Sequence, residues 1–156
     1  MEILQTDKSQ PLWEETIRFA QNCSWYAGRR LAERMRENSF ADWERVFAAV
    51  ERERVVGFCV FEAKSGLPEH LSEYGPFINC VFVDEAFRGQ RISEKLVRAA
   101  LDYGKSLGCQ TVYLKSEHHG LYEKYGFEKI ADFVPVRGLA NQLFRIRTGA
   151  AEGGEK

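Results

Sequence analysis

The sequence predicts a mixed α/β sheet of about seven strands with about four helices, a layered architecture in which both kinds of element bury an apolar face. Three observations carry this. A nearly continuous apolar run at 77–83 precedes a long amphipathic segment from Ile92 and a second β-rich run at 110–115, the order of a β-α-β unit with parallel strands. Two β-rich runs, at 45–51 and 54–63, stand on either side of a short charged turn, the pattern of an antiparallel hairpin. Ahead of that hairpin lie two stretches of helical periodicity, at 11–23 and beyond Ser24.

In chain order, Glu2–Thr6 is read as the first strand. From Pro11, apolar residues fall at Leu12, Trp13, Ile17, Phe19, Ala20 and Cys23, and a proline suits the first turn, where its missing N–H has no intrahelical partner to lose. Ser24 is expected to cap a second helix. There Ala27, Leu31 and Met35 recur every four residues among Arg29, Arg30, Glu33, Arg34 and Arg36, which makes one stripe apolar and the other side a solvated charged face. In the hairpin, Val55, Val56, Phe58, Val60 and Phe61 supply the core-facing material. Residues 64–75 contain Gly66, Pro68 and Gly75 and few apolar side chains, a loop long enough to border a site. Only Asn79 is polar in 77–83, as in a strand covered on both faces. Ile92, Leu96, Ala99, Ala100, Tyr103 and Leu107 define a helix of about four turns that stops near Gly108. A strand at 110–115, a short helix at 120–125 ended by Gly126, and β segments at 127–134 and 142–147 follow. The tail GAAEGGEK (149–156) has nothing to bury and is expected to be disordered, which leaves 1–148 as a single domain.

Lysine and arginine number 22 against 23 aspartates and glutamates, a formal charge of −1. That balance offers no electrostatic case for nucleic acid or an anionic membrane as partner. No apolar run approaches the roughly 20 residues needed to span a bilayer, and the N-terminal MEILQTDKSQ lacks a basic-then-apolar signal pattern, so a cytoplasmic protein is expected. Cys23, Cys59, Cys80 and Cys109 are widely spaced. They read as buried free thiols rather than disulfides, and no metal site is evident.

The seam between the apolar strand and the long helix reads VDEAFRGQRIS, from Val83 to Ser93. A helix N-terminus carries unpaired N–H groups and about half a positive charge, which suits an anion. Gly89 lets the backbone turn and approach a ligand, Arg88 and Arg91 add charge, and Ser93 adds a hydroxyl. The phosphate loops of nucleotide hydrolases and dinucleotide-binding folds, Gly-x-x-x-x-Gly-Lys-Ser/Thr and a post-strand Gly-x-Gly-x-x-Gly, are both absent from the sequence, so an NTPase or a dehydrogenase is not expected.

These residues resemble the GNAT superfamily of acyl-CoA-dependent N-acetyltransferases. Its signature is a strand ending in Val-x-Pro-x-x followed by Gln/Arg-x-x-Gly-x-Gly/Ala at the head of a long helix, and the corresponding residues here are Val83–Phe87 and then Arg88–Ser93. About thirty residues on, Leu121-Tyr122-Glu123-Lys124-Tyr125-Gly126-Phe127 is similar to the family's Leu-Tyr-x-Lys-x-Gly-Phe element without a mismatch. The resemblance implies a GNAT-like, mostly antiparallel sheet with a central parallel pair. It also implies acetyl-CoA as acyl donor, with contacts from Val81, Phe82, Val83, Arg88, Gly89, Gln90, Arg91, Ile92, Ser93 and Tyr122, and an amine as acceptor. Three departures stand out. Arg91 and Ser93 occupy the family's Gly and Gly/Ala positions, a side chain at 91 being compatible with helical φ/ψ. Glu85 replaces a frequent Pro. Ser116-Glu117-His118-His119 takes the place of an Asn-x-x-Ala segment, so an Asn contact to the cofactor is not carried over.

The chemistry implied is direct attack by a neutral amine on the thioester. The resemblance assigns the Val83 backbone N–H to the acetyl carbonyl and Tyr122 to protonation of the leaving thiolate, and Glu117 and His118 lie where a general base could act. Trp25, Tyr26, Phe40 and Trp43 lie around the second helix, where facing the cleft would favour an apolar or cationic acceptor. A small-molecule acceptor is expected. The alternatives are a protein or peptide N-acetyltransferase and a catalytically silent acyl-CoA-binding module. Oligomeric state is open, a homodimer among the options.

Overall fold

The computed structural model describes residues 1–64, 66–135 and 140–150. The elements are β1 (Glu2–Thr6), α1 (Pro11–Asn22), α2 (Tyr26–Glu37), β2 (Arg45–Glu51), β3 (Arg54–Glu62), β4 (Phe77–Val83), α3 (Ile92–Ser106), β5 (Thr111–Ser116), α4 (Leu121–Lys124), β6 (Glu128–Phe133) and β7 (Asn141–Arg147). The strands form one sheet in the order β1-β2-β3-β4-β5-β7-β6, which is the mixed α/β architecture expected. β4 and β5 are parallel, with Phe77 opposite Tyr113. The pairs β1–β2, β2–β3, β5–β7 and β6–β7 are antiparallel. The loop at 64–75 contains a short 3-10 turn at Glu69–Leu71, drawn in by the buried side chain of Leu71. No helix among the described residues is long and apolar enough to cross a membrane.

The chain divides into two compact units, residues 1–61 with 80–100, and residues 62–79 with those from 101 onward. In the first, the helical periodicity is realised as packing. Trp13, Ile17 and Ala20 of α1 meet Leu31, Ala32 and Met35 of α2 over Val46, Phe58, Val60 and Phe82 of the sheet. Gly28 permits this, because a Cβ there would lie 2.4 Å from the Cys23 sulfur and 2.8 Å from the Ala20 carbonyl oxygen. The β2–β3 turn places both Arg52 and Glu53 in the left-handed region, at φ 50° and 66°, whose twist matches that of the flanking strands.

Ser24 does not cap α2. The helix starts one residue later than that role requires, with Trp25 in the N-cap position and no side-chain cap, and the Ser24 hydroxyl donates instead to Glu85 Oε2 at 2.6 Å. An ionised carboxylate is the stronger acceptor.

In the second unit Leu71, Phe77, Phe133 and Leu143 form a core, with Val112 and Leu114 of β5 also buried. Asn79, the polar residue in β4, donates to buried Glu62 Oε2 at 2.8 Å and to the Lys64 carbonyl at 3.1 Å, so two buried polar side chains satisfy one another. Of the tail, Gly149 and Ala150 are described, with Ala150 N donating to Thr148 Oγ1 at 3.1 Å, and 151–156 lie outside the described residues. None of the four cysteines forms a disulfide, and only Cys59 is buried while the other three are half-buried. Burial pushes the Cys59 thiol far above its ordinary value, and neighbouring Cys80 adds to the effect.

Candidate active site

In the first unit the strand that leads to the seam carries an unusual backbone conformation. Cys80, in the middle of β4, has φ 56°, a conformation that L-residues seldom adopt within a strand. Just past the end of β4 the chain is bonded to β3, Asp84 N donating to the Val56 carbonyl at 2.8 Å. Successive peptide groups of a strand face opposite edges, so the N–H and C=O of Val83 face away from β3. Arg88 is found on that edge, its Nε donating to the Val83 oxygen at 3.0 Å. Close approach of the two strands rests on Gly57, where a Cβ would lie 2.7 Å from the Phe82 carbonyl oxygen.

Phe82 is the hub of this end of the strand. Its ring stacks on Phe58 at 5.5 Å and on Trp25 at 5.8 Å, with 13° between the planes in the second pair, and the Arg88 guanidinium lies 5.5 Å from its centroid. Phe82 and Val83 are buried and Val81 is half-buried. Of the other aromatics noted around α2, Tyr26 is exposed beside the Arg29 guanidinium. Phe40 packs on Trp13, and Trp43 packs on Phe61.

A 3-10 turn at Glu85–Phe87 follows, capped by the Asp84 carboxylate, which accepts from Ala86 N at 2.9 Å. Then come two left-handed residues, Gly89 at φ 85° and Arg91 at φ 62°. The expectation of helical φ/ψ at Arg91 is thereby overturned. The backbone turns into α3 as a glycine at that position would, and Arg91 adopts the same conformation at a cost of roughly 1–2 kcal/mol. Its side chain is 83% exposed, with Nη1 at 3.2 Å from Glu94 Oε1. The first α-helical bond runs from Lys95 N to the Arg91 carbonyl, so the amides of Ile92, Ser93 and Glu94 precede the ladder at the positive end of the dipole. Arg88, Gly89 and Gln90 are exposed, Ser93 is half-buried and Ile92 is buried.

The same unit holds a groove of about 700 Å³ whose lining residues include Glu15, Glu53, Asp84, Glu85, Arg18, Arg54 and Phe82. Glu85 is held below the usual carboxylate range by the Ser24 hydroxyl first, then by its own backbone N–H and by Arg88. Neither the groove nor the Ser24–Glu85 contact follows from the sequence pattern. The groove residues lie up to 70 positions apart in sequence, and no local spacing announces them.

In the second unit Tyr122 lies on α4, only 4% exposed. The ring is held edge-on by Tyr125 and Phe127 at 5.6 and 5.9 Å and tilted against Phe144 at 5.9 Å. Left-handed Gly120 and Gly126, at φ 87° and 101°, open and close this single helical turn. Ahead of it, His118 N donates to Ser116 Oγ at 3.0 Å, and buried Gln142 donates through Nε2 to the His118 carbonyl at 2.8 Å and more weakly to that of Ser116 at 3.4 Å. The backbone of this segment is thus fixed from β7. The side chains of Glu117, His118 and His119 are exposed. Among the described residues no group of three His, Cys, Asp or Glu side chains is placed to hold a metal ion.

The chain is 34% identical over 74 residues to an acetyltransferase of Agrobacterium fabrum (strain C58), a match spanning 46% of this chain and 54% of the relative. The chain thus spans about half the length of that curated relative. Solved structures of similar fold include the aminoglycoside 6'-N-acetyltransferase from Enterococcus faecium, with a TM-score of 0.72, 19% identity, and 95% and 97% of the two chains covered. An aminoglycoside 6'-N-acetyltransferase complexed with coenzyme A is similar at TM-score 0.70 and 17% identity, with the same coverage. The ribosomal-protein-S18-alanine N-acetyltransferase from Escherichia coli is similar at TM-score 0.69 and 11% identity, with 99% and 98% covered. Residues 11–127, from the first turn of α1 to the phenylalanine that closes the Leu121–Phe127 element, match the Acetyltransferase (GNAT) family, and the chain belongs to it.

Proposed function

We propose that the protein transfers an acetyl group from acetyl-CoA, the co-substrate its family membership assigns, to the amine of a small-molecule acceptor by direct attack. The observation that carries this is the turn into α3. Left-handed Gly89 and Arg91 preserve the backbone path of a glycine-bearing pyrophosphate loop even though the second glycine is absent. The amides of Ile92, Ser93 and Glu94 then meet the pyrophosphate at the helix N-terminus, with the remaining charge from Arg88 and Arg91.

The Val83 N–H faces the edge of β4 not used by β3, which suits a donor to the developing oxyanion. Loss of one such donor costs roughly 3–4 kcal/mol of transition-state stabilisation. Tyr122 donates the proton to the departing thiolate. A phenol near pKa 10 and a thiol of about 8.5 make that transfer slightly uphill and still within reach. The acceptor must lose a proton before attack, since only about 0.04% of an alkylamine of pKa near 10.4 is neutral at pH 7. Glu117 and His118 are the candidates to accept that proton, and their exposure connects either to bulk water.

The acceptor reading rests on the groove. About 700 Å³ is the size of a small-molecule site, and four acidic residues against two arginines in its lining favour a cationic amine. Two of the proteins of similar fold are aminoglycoside acetyltransferases, in keeping with an acceptor of that charge. Calorimetry with acetyl-CoA followed by thiol release with a panel of amines tests the whole. Binding of acetyl-CoA and turnover best with a small amine of more than one positive charge is the expected result. Binding without turnover on any amine points to a silent acyl-CoA module, and no binding at all removes the proposal.

A further inference from the structure

Arg88 brings positive charge to the cofactor end of the site, and its geometry gives it a second and more specific role. We infer that Arg88 is a positioning residue, whose Nε–H holds the end of β4 so that the Val83 N–H is presented in a fixed direction. The inference rests on the acetyltransfer reading for its kinetic consequence, though not for the contact itself.

Three observations support it. The Nε atom donates to the Val83 oxygen at 3.0 Å across five residues of sequence, so the side chain folds back over the turn it follows. It is steadied there by the Phe82 ring, 5.5 Å from the guanidinium carbon, and that ring stacks with both Trp25 and Phe58. The carbonyl it meets lies on the edge of β4 opposite the one that Asp84 N uses to reach Val56, where β3 supplies no partner. The C=O and N–H of one strand residue point the same way, so fixing the Val83 carbonyl also fixes the direction of the Val83 N–H. One donor of the fork is committed to this bond, and four N–H groups remain for an anion.

What the position requires for this role is an N–H at the fourth side-chain atom from the backbone. Arginine and glutamine both have nitrogen there. Lysine has a methylene, with its charged nitrogen one atom further out. A phosphate contact makes the opposite demand, being met by the charge of lysine and not by glutamine. The variants Arg88→Gln and Arg88→Lys therefore separate the two roles. With acetyl-CoA and the best amine of the panel, Arg88→Gln is expected to keep kcat within about threefold while KM for acetyl-CoA rises about tenfold, the loss of one charge-assisted contact. Arg88→Lys is expected to keep that KM within about threefold while kcat falls by about tenfold or more, since small misplacements of a reacting group can cost about 10²-fold. The reverse pattern, with Arg88→Lys at full kcat and Arg88→Gln slow, overturns the inference and leaves Arg88 as a phosphate ligand. Failure of the unaltered protein to turn over any amine strikes the acetyltransfer reading instead. The contact is checked without any substrate by ¹⁵N NMR of arginine side chains. The Nε–H signal that vanishes in Arg88→Gln should exchange with solvent more slowly than those of the exposed arginines of α2, and equally fast exchange overturns the inference whether or not the protein is active.

Discussion

Replacing Arg91 by glycine and by alanine tests the backbone of the α3 turn directly. At φ 62° an L-residue bears a strain of roughly 1–2 kcal/mol that glycine does not. Two terms oppose its relief. A glycine loses more freedom on folding, at roughly 0.5–1 kcal/mol. The pair with Glu94 is also lost, and with the arginine 83% exposed it is worth only roughly 0.2–0.5 kcal/mol. Arg91→Gly is therefore expected to lie within about 1 kcal/mol of the parent and on the stable side. The comparison with Arg91→Ala is sharper, because both variants lose the same pair and only alanine keeps the strain. The glycine variant should be the more stable by about 1 kcal/mol, or about 2–4 °C in Tm for a chain of this size. At an ordinary helical position the order is inverted, alanine leading by roughly 0.5–1 kcal/mol. Urea titrations of the two variants, analysed with a common m-value, measure the difference. Alanine equal to or above glycine refutes the left-handed assignment and with it the argument that this loop keeps a glycine-like path.

Three further outcomes are expected. Gly28→Ala forces a methyl group against the Ala20 carbonyl and the Cys23 sulfur and should destabilise the protein by about 1–3 kcal/mol or more; a denaturation midpoint equal to that of the parent contradicts the close α1–α2 approach. Tyr122→Phe keeps the aromatic packing, so circular dichroism should be unchanged while kcat falls by about 10²-fold or more, and undiminished turnover removes Tyr122 as the acid. Ser24→Ala should move the Glu85 carboxyl up toward its ordinary value, since the serine hydroxyl is the leading cause of its depression, as a carboxylate ¹³C titration would show. Because the folded value is depressed, any stability from the Ser24–Glu85 contact is fully present above the unfolded value of about 4.3 and is lost as pH falls through the lower folded one. A parent whose stability relative to Ser24→Ala does not fall as pH is lowered through that range contradicts the coupling.

Periodicity made most of the fold legible. The four-three-one-three-four spacing from Ile92 to Leu107 marks one face of a helix whatever surrounds it, and α3 ends at Ser106 where that spacing and Gly108 say it should. The hairpin was equally plain, since charged residues at 52–53 interrupt two β-rich runs. What stayed hidden depends on contacts between distant segments. Ser24 has the chemistry of a cap, and only the arrival of Glu85, 61 residues on, diverts it. Cys80 looks like a small core residue because an unusual φ in mid-strand leaves no trace in residue type. Arg91 misled for a related reason: glycine announces a left-handed position, whereas an arginine there conceals it. Asn79 was visible as the odd polar residue of its strand, yet its partner Glu62 is evident only once β3 and β4 are side by side. At the site, the motif identified which residues to inspect, and the groove walls beyond Phe82, Asp84 and Glu85 came only from the fold.

The stack of Trp25 on Phe82 equips the molecule with its own optical reporter. Trp13 is buried in the core and Trp43 sits edge-on to Phe61, so their emission forms a steady background. Trp25 alone of the three is more than a third exposed, at 38%, while lying flat on the ring that also carries the Arg88 guanidinium. Anything that dries or displaces the end of β4 changes the polarity sensed by that indole. A titration with acetyl-CoA can therefore be followed by intrinsic fluorescence without a label, and a Trp25→Phe variant supplies the blank.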